Sequence, residues 1–343
     1  MKPAVLYDRR FADHLMGPGH PESPERILVL NRMLEEEAAG TFLAVEPRPA
    51  TDEELSRVHE RAYIDFIRST SGRPSVFLDG DTSAGPKTFE TALLAAGGFI
   101  RLLDVILDGR ARNGLALVRP PGHHAEAAQA MGFCIFNNVA VGAEHLVRGR
   151  GLRRVLIVDW DLHHGNSTQH AFYSRPDVLY FSTHQVPLYP GTGAVHETGD
   201  GPGQGFNLNV PLSPGKGDED FLYVFRKLLA PVAAQYRPEF VLVSAGFDIS
   251  RGDPLGGMLV SSDGFGRVAE AVLRMAEASC PGRVAVILEG GYDLEALKSG
   301  VKEVLGRLAH PLPAPAGPEP VPSTVTRREL EPCFQMFRPF WEL

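Results

Sequence analysis

Short apolar runs alternate with longer stretches of helical periodicity along most of this 343-residue chain. Runs of this length that are apolar throughout are typical of strands buried on both faces. They lie at 115–118, 155–158, 178–181, 240–243 and 284–288. Stretches with apolar residues three and four positions apart, as in amphipathic helices, lie at 88–107, 138–148, 218–236 and 263–279. Strands that alternate with helices predict an α/β fold in which helices cover both faces of a mainly parallel sheet.

The same pattern predicts one domain. Because no second series of strands follows residue 310, we expect a single domain over 1–310. The segment 311–343 begins with an extended connector rich in Pro, Ala and Gly at 311–322. It ends in a helix or tail at 328–343 that packs on the same domain. Within the domain, Ser262-Asp263 is expected to cap the helix over 263–279.

The composition argues against several classes of protein. Hydrophobic residues make up 43% of the chain and charged residues 22%, which is typical of a soluble globular enzyme. A net charge of -8 argues against nucleic-acid binding and mildly favours cationic substrates. No apolar run approaches the roughly 18 residues that span a bilayer, and the N-terminus lacks a secretory h-region. We therefore expect a cytoplasmic protein without a membrane partner.

The cysteines point to no metal site or disulfide framework. Cys134, Cys280 and Cys333 are odd in number and far apart in the sequence. We expect them to be buried as small hydrophobic side chains.

Four of the apolar runs lead directly into strings that carry His, Asp or Tyr. The strings RPPGHH, DWDLHHGN, SAGFD and EGGY follow the runs that begin at 115, 155, 240 and 284. In open parallel sheets, ligands bind outside the carboxyl ends of the strands. We therefore expect the functional site at that edge, where these strings meet.

The spacing in the second string indicates a metal site. Asp159, Asp161 and His163 are two residues apart, so an extended chain would place their side chains on one face. Asp161 and His163, with Asp248 from another strand end, would give the three O/N ligands of a catalytic Zn²⁺ that keeps one position open for water. For an isolated Asp-x-His, a structural hydrogen-bonded pair is the alternative. The other polar strand ends favour the metal.

The remaining residues supply proton transfer. Zinc lowers the pKa of a bound water to roughly 7, and the adjacent His123 and His124 can serve as base and acid if each is oriented by a partner. Asp159 and Asn166 are the candidate partners; a carboxylate would raise its histidine's pKa, whereas an amide would only orient its histidine. Tyr292, after two glycines, can donate its hydroxyl to an oxyanion. A tyrosine at the rim without a role is the alternative.

These strings together resemble the histone deacetylase superfamily, especially its class II and bacterial amidohydrolase branch. The matching strings are RPPGHHAE, GFCIFNN, VDWDLHHGN, YPGTG, SAGFD with GDPLGG, and LEGGYDL, in order between Gly19 and Leu294. The resemblance implies the arginase/deacetylase fold, with a mainly parallel sheet of about eight strands. It also implies that 1–310 is the catalytic domain of a zinc-dependent deacetylase, with one Zn²⁺ held by Asp161, His163 and Asp248. His124 would be the principal proton-transfer residue and His123 its electrostatic partner.

The resemblance implies further ligands. A structural K⁺ or Na⁺ would be bound by Asp159, Asp161, His163, Ser182 and Thr183, several of them through backbone carbonyls. A second such site would fall near Phe172, Arg175, Val178 and Phe206. The tunnel for the acyl-lysine would be lined by Gly132, Phe133, Tyr189 and Leu255. Asp81 would hold the substrate backbone, and its match to the family requires a gap in the alignment. Outside this family, core aromatics would be the favoured reading of Phe133 and Tyr189.

Two departures bear on the substrate. Leu255 stands where members specific for acetylated polyamines often carry an acidic residue, and Asn166 stands where some members have Asp. We expect an N-acetyl-lysine-like substrate, with an acetylpolyamine or another small amide as the alternative. The rival classes are a two-metal hydrolase of the arginase kind and a catalytically silent acyl-ligand-binding protein. The other histidines are expected to be surface, capping or structural residues: His14, His59, His145, His170, His184 and His196.

Overall fold

A computed structural model of the chain describes residues 1–310, 312 and 318–343. Part of the predicted connector, at 311 and 313–317, therefore lies outside the described residues. No helix in the part that is described combines the length and the apolar character needed to cross a membrane.

The centre of the fold is an eight-stranded sheet in which every pair of neighbours is parallel. The prediction of a mainly parallel sheet of this size is confirmed. Its strands are β1 (Ala4–Leu6), β2 (Leu43–Val45), β5 (Gly114–Ala116), β6 (Val155–Asp159), β7 (Val178–Gln185), β8 (Asn207–Leu212), β9 (Phe240–Ala245) and β10 (Val284–Leu288). A separate antiparallel hairpin consists of β3 (Val76–Phe77) and β4 (Ser83–Ala84). The order across the large sheet is β2-β1-β5-β10-β9-β6-β7-β8.

Most of the helices lie in the connections between these strands, and the last two follow β10. They are α1 (Glu25–Glu37), α2 (Asp52–Leu55), α3 (Arg61–Arg68), α4 (Thr88–Leu107), α5 (Asn138–Glu144), α6 (Asn166–Phe172), α7 (Asp218–Val224), α8 (Ala230–Tyr236), α9 (Ser262–Ser279), α10 (Leu294–Ala309) and α11 (Thr324–Phe337). Short 3-10 turns lie at Arg9–Asp13 and Gly201–Gly203. Wider π turns at His145–Gly149 and Phe225–Leu229 continue α5 and join α7 to α8. The predicted helices over 138–148 and 218–236 are therefore present with a π turn in each.

The cap of α9 differs from the prediction by one residue. The side chain of Ser261, rather than Ser262, accepts a hydrogen bond from the backbone N–H of Gly264. Ser261 has the extended backbone that an N-cap requires, whereas Ser262 is already helical.

The C-terminal segment forms a helix that lies against the edge strand β8. Cys333 of α11 is buried, and Trp341 beyond the helix donates from Nε1 to the carbonyl of Gly205 at 2.8 Å. The other cysteines, Cys134 and Cys280, are also buried with free thiols, as expected from the sequence.

The order of the strands brings the polar strings together. β5, β10, β9 and β6 are consecutive neighbours in the sheet, although they are far apart in the sequence. Their side chains are buried along their whole lengths, so the strands hold a rigid edge. The strings that follow these four strands leave the sheet at the same carboxyl edge.

Candidate metal centre and catalytic site

The chain turns immediately after β6. The strand ends at Asp159, and the backbone N–H of Asp161 then bonds to Asp159 Oδ1 at 3.1 Å. The N–H of His163 bonds in the same way to Asp161 Oδ1 at 2.8 Å. The segment is therefore not fully extended, because each aspartate closes a turn on the backbone two residues later. These turns direct Asp161 and His163 toward Asp248.

Asp161, His163 and Asp248 form a buried cluster of ligand atoms. His163 Nδ1 lies 3.2 Å from Asp161 Oδ1 and 3.3 Å from Asp248 Oδ2. One ligand atom from each residue lies within 4.8 Å of the others. Asp248 Oδ2 is buried and has no hydrogen-bond partner of suitable geometry among the described residues. Buried polar atoms are almost always paired, so this oxygen fits a metal ligand.

Two glycines let the backbone pass against these carboxylates. A Cβ atom on Gly290 would lie 2.1 Å from Asp248 Oδ2, and one on Gly246 would lie 2.2 Å from Asp161 Oδ2. The N–H of Gly290 donates to Asp161 Oδ2 at 2.8 Å, and that of Leu162 donates to Asp248 Oδ1 at 3.0 Å. One oxygen of each aspartate, Oδ2 of Asp161 and Oδ1 of Asp248, is thus held by a backbone N–H.

The two carboxylates in this cluster favour the binding of a cation. Burial, followed by the charge of Asp161, raises the pKa of Asp248 to about 7. Although burial opposes a charged ring, the adjacent carboxylates of Asp161 and Asp248 raise the pKa of His163 to about 10. A proton on His163 thus offsets only part of the negative charge of the two carboxylates. A divalent ion would supply the further positive charge, and the Asp-His-Asp donor set fits zinc.

The adjacent histidines have different partners, as the sequence predicted. His123 Nδ1 lies 3.0 Å from Asp159 Oδ2, which also accepts a hydrogen bond from Tyr180. His124 Nδ1 lies 2.7 Å from Asn166 Oδ1. Burial opposes the charged ring of His123, yet Asp159 and Asp161 raise its pKa to about 10. Burial and the positive charges of His123 and His163 hold the pKa of His124 well below its usual value.

One pocket opens onto this cluster and contains every predicted tunnel residue. It encloses a cavity of about 130 Å³ and is lined by Asp81, Pro121, His123, His124, Gly132, Phe133, Cys134, His163, Tyr189, Leu255, Gly290 and Tyr292. The Phe133 and Tyr292 rings meet edge to face, with centroids 5.9 Å apart. The Tyr189 ring lies 5.1 Å from that of His124 in the same geometry.

Gly132 allows His124 to occupy its place. Its φ is +55°, and a Cβ atom there would lie 2.5 Å from His124 Cδ2. Phe133 also has a positive φ of 68°, which is rare for an aromatic residue. This strained backbone turns the Phe133 ring into the pocket.

Three buried residues that sequence reasoning did not identify support the site. Glu289 accepts from the N–H of Gly122 at 2.7 Å, just before the histidine pair. Asp253 accepts from the N–H of Tyr292 at 2.7 Å. Arg26 donates to the Gly291 carbonyl at 2.7 Å, and its guanidinium lies 5.0 Å from the centre of the Tyr292 ring. The available signal was the presence of charged residues inside or beside the strings GHPESPER, GDPLGG and LEGGYDL.

A second group of potential ligands, His123, Cys134 and Glu289, also lies within 4.8 Å. Two of its members are already engaged. His123 pairs with Asp159, and Glu289 Oε1 accepts from Ser244 Oγ at 2.9 Å. This group therefore fits a metal less well than the Asp-His-Asp cluster.

The residues suggested for monovalent cations are close to the centre or behind it. Ser182 pairs with Asp159 across β6 and β7, and Thr183 Oγ1 is buried without a hydrogen-bond partner in the described residues. Around the second suggested site, Phe172 and Val178 are buried, Phe206 is partly buried, and Arg175 is paired with Glu144 and Asp177. The role of these residues as cation ligands stays a prediction.

Comparisons with known proteins show which family this chain resembles. The family model described as "Histone deacetylase domain" matches residues 20–308. A "Probable deacetylase" of Archaeoglobus fulgidus is 38% identical over 298 residues, which cover 86% of this chain and 82% of that protein. The human "Polyamine deacetylase HDAC10" is 41% identical over 315 residues, covering 87% of this chain and 46% of that protein. This chain thus spans just under half the length of the human relative.

A solved structure extends the resemblance to the fold. The crystal structure of the HDA15 HD domain superposes with a TM-score of 0.92 at 37% identity, covering 99% of this chain and 95% of that one. With a family match over most of its length and a solved relative of the same fold, the chain belongs to the histone deacetylase family.

Proposed function

We propose that this protein is a zinc-dependent deacetylase that hydrolyses an N-acetyl-lysine-like amide. The observation that carries the proposal is the Asp161-His163-Asp248 cluster, which adjoins a pocket lined by His124 and Tyr292. Zn²⁺ held by these three residues would act as a Lewis acid on the acetyl carbonyl and lower the pKa of a water.

The two histidines divide the proton chemistry. His124 is kept neutral at physiological pH by its lowered pKa, and its Nδ1 is engaged by Asn166. Its Nε2 is therefore free to take a proton from the attacking water and to return one to the leaving amine. His123, charged beside Asp159, stabilises negative charge next to the reaction.

Tyr292 completes the site. Its ring lies in the pocket between Phe133 and the Arg26 guanidinium, and Asp253 fixes its backbone. Burial raises the pKa of its hydroxyl well above the usual value, so the group stays protonated and can donate to the oxyanion.

We also propose a structural K⁺ or Na⁺ bound by Asp159, Asp161, His163, Ser182 and Thr183. The hydroxyl of Thr183 is buried and has no hydrogen-bond partner in the described part of the chain, which supports a further ligand in this region. A cytoplasmic location is part of the same proposal and rests on the sequence alone.

The pocket favours acyl-lysine over acetylpolyamine. Its lining contains Leu255, which adds no charge to attract a second amine, and the rings of Phe133 and Tyr189, which suit an aliphatic chain. The similarity to a relative named as a polyamine deacetylase keeps the acetylpolyamine as a second candidate. Asp81, at the same pocket, would hold the substrate backbone.

The rival classes have weaker support. A two-metal hydrolase would need Asp159 as a ligand, but its Oδ2 already pairs with His123 and Tyr180. A catalytically silent binding protein would not need the ligand cluster, both histidines and Tyr292 together at one pocket.

A hydrolysis screen tests the proposal. Zinc-loaded protein would be assayed against acetyl-lysine peptides, acetylpolyamines and small acetamides. We expect kcat/KM to be highest for the peptides. Preference for an acetylpolyamine would contradict the proposed acyl-lysine substrate. Hydrolysis of none of the three would contradict the proposed deacetylase activity.

A further inference from the structure

Asn166, the hydrogen-bond partner of His124, is itself hydrogen-bonded to a carboxylate, that of Glu126. Glu126 Oε1 accepts a hydrogen bond from Asn166 Nδ2 at 2.5 Å. The same oxygen lies 2.9 Å from Nδ1 of His170, one turn later in α6. The hydrogen-bonded series therefore runs from the buried His124 through Asn166 and Glu126 to a half-exposed histidine.

Glu126 is held in place by buried parts of the fold. Its backbone carbonyl lies 2.9 Å from Nδ1 of the buried His59, and its N–H donates to the Gln129 carbonyl at 2.9 Å. The carbonyl of the preceding residue, Ala125, accepts from the hydroxyl of Ser167, the neighbour of Asn166. The carboxylate thus approaches the amide from a fixed turn.

The chemistry of an amide makes this contact selective. A carboxylate offers only acceptors, so it binds the NH₂ end of Asn166 and leaves the oxygen facing His124. An oxygen at that point requires a proton on His124 Nδ1, and the neutral ring then has its lone pair on Nε2. If the amide were reversed, its NH₂ would face Nδ1 and favour a proton on Nε2, where the ring could no longer accept one.

We propose that Glu126 is a positioning residue that fixes the Asn166 amide and thereby selects the tautomer of His124 able to act as a base. This role rests on the deacetylase function proposed above. It also accounts for an amide at 166 where some family members have Asp: the negative charge is present, but one hydrogen bond farther from the ring.

The first test removes the acceptor. Glu126→Leu should lower kcat at least about 10-fold at nearly unchanged KM and zinc content, because a wrong tautomer removes the base without touching the substrate. Glu90→Leu, at an exposed glutamate of α4, is the matched control and should turn over like the wild type. Glu126→Gln keeps an acceptor oxygen and should lose much less activity than Glu126→Leu.

The second test exchanges the partners. Asn166→Asp alone places two carboxylates together and should lower kcat at least about 10-fold. In the double variant Glu126→Gln/Asn166→Asp, the glutamine NH₂ can donate to the new carboxylate, which still accepts from His124. Its kcat should return to within about 3-fold of Glu126→Gln, a coupling that a merely structural residue would not produce.

A spectroscopic measurement separates this inference from the activity. Long-range ¹⁵N–¹H spectra of histidine-labelled, zinc-loaded protein should show His124 protonated at Nδ1 in the wild type and as a mixture in Glu126→Leu, with His124→Ala identifying the signal. An unchanged tautomer in Glu126→Leu, or a double variant no more active than Asn166→Asp, would overturn the positioning role. A wild type with this tautomer that hydrolyses no amide would instead refute the proposed function.

Discussion

The hydroxyl of Tyr292 can be tested apart from its ring. Tyr292→Phe keeps the edge-to-face contact with Phe133 and the contact with Arg26. We expect kcat on an acetyl-lysine peptide to fall about 10² to 10³-fold, because one oxyanion donor is lost where water cannot replace it. Zinc content and KM should change little. If kcat is unchanged in steady-state assays, Tyr292 is only part of the pocket wall.

The neighbouring histidines should respond unequally to truncation. His124→Ala removes the ring whose Nε2 is free to accept a proton, and turnover should fall by at least the roughly 10² to 10⁴-fold of general acid-base catalysis. His123→Ala should cost less, since that ring is paired with Asp159. Single-turnover rates with bound zinc verified in each variant would measure both. Near-normal turnover by His124→Ala on an unactivated substrate contradicts its role.

At the residue scale, the sequence predicted the groups that point into the site better than the groups behind them. Asp161, His163 and Asp248 follow apolar runs, so their position at a strand end could be anticipated. Asp253 and Arg26 act through the backbone of residues 291 and 292, which belong to distant parts of the sequence. No local pattern reports such a contact. Glu126 lies beside the histidine pair in RPPGHHAE, but its contact with Asn166 could not be predicted because Asn166 is 40 residues away.

Between elements, a buried ionic network joins the start of the chain to the ends of β5 and β10. Glu22 Oε2 pairs with Arg119 at 2.7 Å, and Glu22 Oε1 pairs with Arg26 at 3.0 Å. All three side chains are fully buried. Arg26 then donates to the carbonyls of Glu289 and Gly291, so the network also supports the backbone of the site.

Glu22→Gln should therefore destabilise the protein. Removing one partner leaves buried arginine charge uncompensated, which typically costs about 3 to 5 kcal/mol. Glu35→Gln, at the exposed pair with Arg9, is the control and should cost at most about 1 kcal/mol. Urea unfolding at neutral pH measures the free energy of unfolding of both variants. Equal decreases in that free energy would show that the buried network stabilises the protein no more than an exposed ion pair does.

The same network predicts an acid-sensitive stability. Burial opposes ionisation of Glu22, but Arg119, His14 and Arg26 together lower its pKa to about 2, from 4.5 in the unfolded chain. Its contribution, about 3 kcal/mol, is therefore complete above pH 4.5 and is lost as the pH falls toward 2. Burial lowers the pKa of His14 to about 3, which weakens the fold in acid in the same direction. Unfolding free energies between pH 5 and pH 3 should fall less steeply in Glu22→Gln than in the wild type.

At the element scale, the most apolar segments were predicted, whereas several short strands and two long helices, α1 and α10, were not. β1, β2 and β5 have three residues each, and of these only β5 was predicted, from an apolar run that continues beyond the strand to Val118. β8 alternates asparagine with apolar residues because the amides of Asn207 and Asn209 both bond to Gln169 Oε1, inside the protein. Polar side chains with buried partners hide such a strand from a hydrophobicity pattern.

For the whole molecule, alternation of strands and helices predicted the layers of the fold but not the order of the strands. The order depends on which strands pair, for example β5 with β10, and these are about half the chain apart. The resemblance of the strings to a family supplied the architecture that the residues alone left open. Functional residues could still be placed together, because the carboxyl ends of parallel strands share one edge in any order.

In the function that we propose, one zinc ion held by Asp161, His163 and Asp248 is required for deacetylase activity. The most direct measurement is a titration of metal-stripped protein with Zn²⁺, recording bound metal and hydrolysis of an acetyl-lysine peptide at each step. We predict no activity without metal, full activity at about one equivalent, and little binding or activity in folded Asp248→Ala, since a catalytic site of three protein ligands has lost one. Full turnover by the stripped protein, a requirement for two equivalents, or full zinc occupancy in Asp248→Ala would contradict the account.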